Sequence, residues 1–533
     1  MYEELNNLFP RATEIPEQFR IPAGIDGASF LLDGSIHHHL GPARPVFSPI
    51  MVREVQELKA PPVGTLPLLS GQTALEALDA AQRAFDCGMG LWPQMDVEER
   101  LERMEAFLER MGRHEKAFAL MEMWELGKKY SECLVEFRRT EQYIRNTIEA
   151  YRILDKDSSY IERVGPVVAQ IKRCPLGIVL CMGPFNYPLN ETFALVIPAL
   201  LMGNAVILKL PEPGSLCILP LMEDFAVLFP PGTINIINGE GEEIIGPIMK
   251  SGKVAVLGFI GSTRVANLLI NQHPSNNRLR TILGLEAKNS AFIMPDADLE
   301  TTLAECTSGA LEFNGQRCTS LKHIWVHEKL VDRFLAGLAE KIDQAGIGMP
   351  WQDDIMVTPL AEADKAEYLG GLVEDACQQG ARVINHKGGS YSASLFYPAI
   401  LYPVMEGMQV YHEEQFGPVI PVSTFNSLED LYPYFRQSSY GQQASLFAAS
   451  SAQAAPLLDI LVNQVSRVNL NIRCQRSPDE LPFTGRKDSA EGTLSISDAL
   501  RAFSIRSLAV ANEAGRELFF QIISSGRSQF LRL

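Results

Sequence analysis

Cys318 closes the segment Phe313-Asn314-Gly315-Gln316-Arg317-Cys318, and two further segments could share its chemistry. Gly183-Pro184-Phe185-Asn186-Tyr187-Pro188 lies upstream, and Glu413-Glu414-Gln415-Phe416-Gly417-Pro418 lies downstream. A cysteine after a glycine-containing turn can present a thiolate to an electrophile. A separate carboxamide such as Asn186 can then donate to the oxyanion formed when a carbonyl is attacked. A single cysteine is more often inert and buried, but the ordered trio points to carbonyl chemistry. No histidine is placed by motif near Cys318, which counts against a Cys–His hydrolase.

Gly261-Ser262-Thr263-Arg264-Val265-Ala266 follows an apolar run and opens a helical pattern. Backbone N–H groups and the helix dipole at such a start suit a pyrophosphate, although in isolation a structural turn is the better reading. His37-His38-His39 has no accompanying carboxylate or cysteine pattern, so a surface loop is the better reading than a metal site. His323 and His327 share a strand face without a third ligand and read as structural. A regulatory disulfide between Cys306 and Cys318 is the less favoured reading of that pair.

These groups need a scaffold. Leu75, Leu78, Ala81 and Phe85, then Leu101, Met104, Phe107 and Leu108, recur at helical spacing, so two long helices are expected between Thr73 and Arg113. A further helical stretch runs from about Glu115 to Tyr151. From Ser158 to Arg173 the pattern becomes β-like, with Gly165-Pro166 as a turn. Four short apolar runs follow, at 177–181, 205–208, 234–237 and 254–257, each leading to a turn and a helix. Continuous apolar strands alternating with helices specify a doubly wound parallel sheet, whose ligands bind beyond the strand carboxyl ends. A second strand–helix series from Ala291 to about Leu470 contains Cys318, and residues 503–510 read as one more strand. Residues 1–66 are rich in turn signals and are not placed.

At 533 residues the chain calls for two or three domains. A net charge of −17 argues against a general binder of nucleic acid or membrane surfaces. No apolar run is long enough for a membrane span and no secretory leader is read at Met1–Leu5. Nine cysteines without paired spacing fit reduced thiols in a cytoplasm.

The trio of segments resembles the aldehyde dehydrogenase superfamily from roughly Leu68 to Val510, most closely its non-phosphorylating glyceraldehyde-3-phosphate dehydrogenases. The resemblance implies an α/β fold. Its dinucleotide-binding domain would take residues 1–157 and 174–287, and its catalytic domain residues 288–488. A small β oligomerisation extension would take 158–173 and 489–512, and residues 513–533 would form a tail. A homodimer or homotetramer is implied.

By resemblance, Lys209 reaches the adenosine ribose and Glu212 accepts from its 2′-hydroxyl. A carboxylate there repels a 2′-phosphate, which favours NAD, with NADP as the alternative. Gly261 and Ser262 match the superfamily's cofactor motif, except that Ala266 stands where a glycine is usual. Glu414 matches the residue at the nicotinamide ribose, and Phe416 the aromatic beside the ring. The substrate phosphate would meet Arg139, Tyr187, Arg317 and Arg476, with Phe483 alongside and Arg138 as the register alternative to Arg139. Guanidinium groups suit a dianion because they offer paired donors, and Arg317 would help lower the pKa of the neighbouring thiol.

One departure matters. The usual Glu-Leu-Gly-Gly-Lys stretch is Gly284-Leu285-Glu286-Ala287-Lys288 here. Gly284 occupies the position of the general base, and Glu286 stands two residues on, about 6–7 Å along a strand. Glu286 is therefore the candidate base. The alternatives are slow hydrolysis, a base from elsewhere, transfer of the acyl group to a thiol such as coenzyme A, or a catalytically degenerate dinucleotide-binding homologue. The reading is oxidation of glyceraldehyde 3-phosphate, or a related small phosphorylated aldehyde, through a Cys318 thiohemiacetal and thioester.

Overall fold

The apolar strands Ile178–Met182, Ala205–Lys209, Ile234–Ile237 and Val254–Ile260 are buried on both faces, because helices cover the sheet from both sides. They run parallel with Arg280–Gly284 inside an eight-stranded sheet. Antiparallel strands close its edges: Ser29–Leu32 and Ser35–His38 at one side, Ala490–Glu491 at the other. Strand order reverses about Ile178–Met182, with Ala205–Lys209 on one side and Val254–Ile260 on the other. A crevice at the carboxyl ends of these strands is where such a sheet binds its ligand. The structure, a computed structural model, describes residues 2–22, 27–55 and 57–532. Met1, residues 23–26 and residue 56, which fall in the expected dinucleotide-binding domain, and Leu533, in the expected tail, lie outside the described residues.

A seven-stranded sheet carries the second half, ordered Arg382–Val383, Ala399–Tyr402, Val419–Phe425, His323–His327, Ser290–Ile293, Gln443–Phe447 and Arg467–Leu470. All of its pairings are parallel except that of the first edge strand. A separate antiparallel sheet joins Ile161–Val164, Val167–Pro175 and Ser504–Ala511. Its hairpin turns at Gly165, whose φ of 57° suits glycine.

Several sequence expectations are refined. The helical stretch from Glu115 is two helices, Glu115–Leu126 and Tyr130–Ser158, broken at the left-handed Gly127. A Cβ at Gly127 would stand 2.4 Å from the Pro359 carbonyl oxygen, so the break is sterically fixed. Residues 489–502 do not join the separate sheet. Ala490–Glu491 extends the eight-stranded sheet, and the helix Ile496–Ala502 buries Ile496, Ala499 and Leu500 against Tyr130–Ser158 and Asn190–Leu201. The unplaced amino-terminal region buries Leu5 and Phe9 and forms a strand pair, Ala43–Phe47 with Pro62–Pro67. In the tail, the helix Arg516–Ser525 seats Phe519 against Val168.

Candidate active site

A cavity of about 550 Å³ opens at the carboxyl ends of the central strands. Lys209 ends one strand; Met182 ends another and leads to Asn186; Gly261 and Ser262 follow a third; Gly284 ends the fourth. Cys318, Glu414, Phe416 and Phe483 line the same cavity from the second half of the chain, and Glu286 lies on its wall.

The Cys318 turn is held from several directions. Phe313, Asn314 and Gly315 are successive left-handed residues. A Cβ at Gly315 would meet carbonyl oxygens of Ala310 and Gly417, both at 2.8 Å, so the glycine brings the turn against the Glu413–Pro418 segment. The Asn314 carboxamide both donates to the Thr358 carbonyl (3.0 Å) and accepts from its N–H (2.9 Å). The Cys318 carbonyl accepts from Asn289 Nδ2 (2.7 Å) and Lys322 Nζ (3.1 Å).

Asn186 Nδ2 donates to the Gln316 carbonyl at 2.9 Å, two residues before Cys318. That bond uses one of the two N–H groups of the amide. Behind it, Lys128 Nζ donates to the Asn186 carbonyl (3.3 Å) and lies 3.9 Å from the centre of the Tyr187 ring. Lys128 is fully buried and is paired with Glu122 (2.9 Å) and with Glu136. Glu136 in turn accepts from the N–H groups of Leu189 and Asn190, each at 3.0 Å. Burial and then the Glu136 charge push Glu122 well above the usual carboxylate range.

Burial pushes the Cys318 thiol above its ordinary range. Lys322 and Arg317 act the other way, Glu414 adds to the rise, and burial prevails. The expected help from Arg317 is thus present but outweighed. Alkylation of Cys318 by iodoacetamide, followed site by site by mass spectrometry, should accelerate with pH and still be rising at about pH 9, because the thiolate is the nucleophile. A plateau below about pH 8 would contradict this environment.

At the other end of the cavity, Lys209 Nζ donates to Glu212 Oε1 at 3.1 Å. Arg44, from the amino-terminal strand pair, meets the second oxygen of Glu212 and also Glu240 Oε1 at 3.0 Å. Ser262 caps the helix Thr263–Gln272, its hydroxyl accepting from Val265 N–H at 3.4 Å. The Glu286 carboxylate accepts from Thr263 N–H at 3.1 Å. An anion therefore already sits at this helix start, which fits the charge a pyrophosphate would bring. Glu414, whose side chain is 7% exposed, pairs with Lys322 Nζ at 2.7 Å; desolvation raises its pKa against that pairing. Phe416 packs edge-on to Phe185, with ring centres 5.8 Å apart.

The residues expected at a substrate phosphate are placed differently. Of Arg139, Tyr187, Arg317 and Arg476, none is on the wall of this cavity. Arg139 makes a two-point pair with Asp479, at 2.7 and 3.1 Å. Arg476 pairs with Glu191 and, at 3.3 Å, with Asp479, and its guanidinium lies 4.7 Å from the centre of the Phe483 ring. Against burial, which acts upwards, the two arginines hold Asp479 below its ordinary range. Arg317 pairs with Glu312 and donates to Thr319 Oγ1 at 3.0 Å. The expected free cationic donors are thus matched by carboxylates, two of them through pairs distant in sequence, Arg139 with Asp479 and Arg476 with Glu191, which local motifs do not reveal. Arg138, the register alternative, pairs with Glu115.

Lys128, Lys322, Asn289 and Arg44 were not singled out from sequence. Only Lys322, four residues after Cys318, had a positional signal. His323 donates to or accepts from Ser423 Oγ at 2.8 Å and stacks on Trp325, and Cys306 is buried as a free thiol in the helix Leu299–Leu311.

Residues 51–507 match the model of the aldehyde dehydrogenase family. A NADP-dependent glyceraldehyde-3-phosphate dehydrogenase from Streptococcus equinus is 31% identical over 448 residues, covering 83% of this chain and 91% of that protein. A sulfoacetaldehyde dehydrogenase from Neptuniibacter caesariensis is 28% identical over 73% of this chain and 85% of its own length. In three dimensions the chain is similar to NADP-dependent glyceraldehyde-3-phosphate dehydrogenase from Bacillus halodurans complexed with NADP, with a TM-score of 0.83, 28% identity, and coverage of 91% of this chain and 99% of that one.

Proposed function

The chain belongs to the aldehyde dehydrogenase family and is an oxidoreductase acting on the aldehyde group; on that premise we propose that it oxidises glyceraldehyde 3-phosphate, or a related small phosphorylated aldehyde, to the acid with NAD or NADP. The observation that carries this reading is the Asn186 amide bonded beside the Cys318 turn, in one cavity with Lys209, Glu212, Glu414 and Phe416.

In this reading the Cys318 thiolate adds to the aldehyde carbon. The second Asn186 N–H and the Cys318 backbone N–H receive the oxyanion. Lys209 and Glu212 hold the adenosine ribose, Gly261 and Ser262 the pyrophosphate, Glu414 the nicotinamide ribose, and Phe416 flanks the ring. A nicotinamide bound there would supply the hydride acceptor for this oxidation. Glu286, released from Thr263 N–H, takes the proton of the water that adds to the thioester, and the Cys318 thiolate leaves. Arg139 and Arg476 serve the substrate phosphate when it replaces Asp479 or Glu191 as their partner; Arg476 stands directly behind Phe483, and Tyr187 and Arg317 complete the shell. The names of the relatives, whose aldehydes carry phosphate or sulfonate, support a terminal anion.

A stopped-flow panel tests the substrate class. Glyceraldehyde 3-phosphate should exceed glyceraldehyde in kcat/KM by about tenfold or more, the equivalent of one charge-assisted pair. Equal values would remove the phosphate reading and leave aldehyde oxidation standing.

A second reading has its own observation: Gly284 carries no carboxylate, and that of Glu286 is engaged at Thr263. The thioester would then pass to a thiol such as coenzyme A. A burst of NADH followed by slow turnover, relieved by added thiol, marks this outcome; fast turnover in water alone excludes it.

A further inference from the structure

We infer that Arg44 receives the 2′-phosphate of a phosphorylated adenosine ribose and so selects NADP. This rests on the reading of the cavity as a dinucleotide site, and names a residue outside the family-matched segment, which begins at residue 51. The case starts from the charges around Glu212. That carboxylate alone would repel a 2′-phosphate, the basis of the sequence expectation of NAD. In the structure it is held on one oxygen by Lys209 Nζ at 3.1 Å and on the other by Arg44 Nη2. Its negative charge is spent within the cluster, and the repulsion falls with it.

Arg44 also reaches Glu240 Oε1 through Nη1, so one guanidinium bridges two carboxylates. The fork that spans two carboxylate oxygens also spans two phosphate oxygens. The side chain of Glu240 is 63% exposed and that of Glu212 only 15%. Glu240 can therefore turn into water while Glu212 keeps its place. An arriving phosphate replaces one anion with another on Nη1, and the contact of Nη2 with Glu212 survives. Arg44 itself is part exposed and projects from the strand Ala43–Phe47, whose pairing with Pro62–Pro67 runs through the backbone. Its charge is not what holds that strand pair together.

The bland alternative is a strut, with Arg44 merely tying the strand pair to the sheet. Isothermal titration of the full-length protein with 2′,5′-ADP and 5′-AMP separates the two, since these probes differ only in the 2′-phosphate. Wild type should prefer 2′,5′-ADP. Arg44→Ala should lose about tenfold or more in affinity for 2′,5′-ADP with 5′-AMP held within about threefold, and Arg44→Lys should keep part of the preference. The KM for NADP should rise in Arg44→Ala relative to that for NAD. Equal weakening of both probes, or an unchanged ratio, overturns the inference and leaves the dinucleotide site intact. Failure of wild type to bind either probe overturns the site and the inference together. Unfolding curves matched between variants confirm that the comparison is one of binding.

Discussion

Cys318→Ser is expected to abolish reduction of the dinucleotide by aldehyde, with turnover falling about 10⁴-fold or more, as when a nucleophile is removed from a machinery that otherwise survives. A serine hydroxyl is a far poorer nucleophile unless a base takes its proton. The positive groups near this position, Lys322 and Arg317, help an anion but accept no proton. Lys322 also donates to the carbonyls of residues 317 and 318, so the turn keeps its shape in the variant. The measurement is a stopped-flow trace of NAD(P)H absorbance, with nucleotide binding as the control for folding. Activity equal to wild type would end the thiohemiacetal account.

Asn186→Ala should lower kcat by about 10²–10³-fold, the usual cost of one oxyanion donor. The variant also frees the Gln316 carbonyl, so a shifted turn is a second source of loss. Two readouts separate these causes. Loss of oxyanion donation lowers kcat and leaves the alkylation rate of Cys318 unchanged; a displaced turn changes both. A variant with wild-type kcat would remove Asn186 from the chemistry.

The short segments that bring Cys318 and Asn186 together were visible in the sequence. Cys318 and Asn186 each sit in a short turn whose glycine or proline fixes the local backbone. The apolar runs around Ile178–Met182 and Ala205–Lys209 announced the parallel sheet through burial on both faces. Partners chosen by the tertiary fold were not legible. Arg139 is matched by Asp479 and Arg476 by Glu191, each pair distant in sequence, and Asp479 meets Arg476 as well, three residues away. Arg44 lies among turn-rich residues with no helical or strand period strong enough to place it, yet it arrives at Glu212. Glu286 was recognisable as a carboxylate near the right strand, but its seat on Thr263 N–H depends on where the next helix begins. Backbone patterning carries the architecture; the pairing of charges across the molecule does not leave a periodic trace.

The Lys128 ammonium has a consequence for how the enzyme should fail on heating. It is fully enclosed, tied to carboxylates on two helices, and bonded to the carbonyl of Asn186. Stripping away both carboxylates would leave an enclosed ammonium without its match, at a cost of roughly 3–5 kcal/mol. The Asn186 loop therefore has little freedom to loosen while those helices stay docked. Thermal inactivation should coincide with the cooperative melting of the whole dinucleotide-binding half, with no earlier step in which the site softens alone.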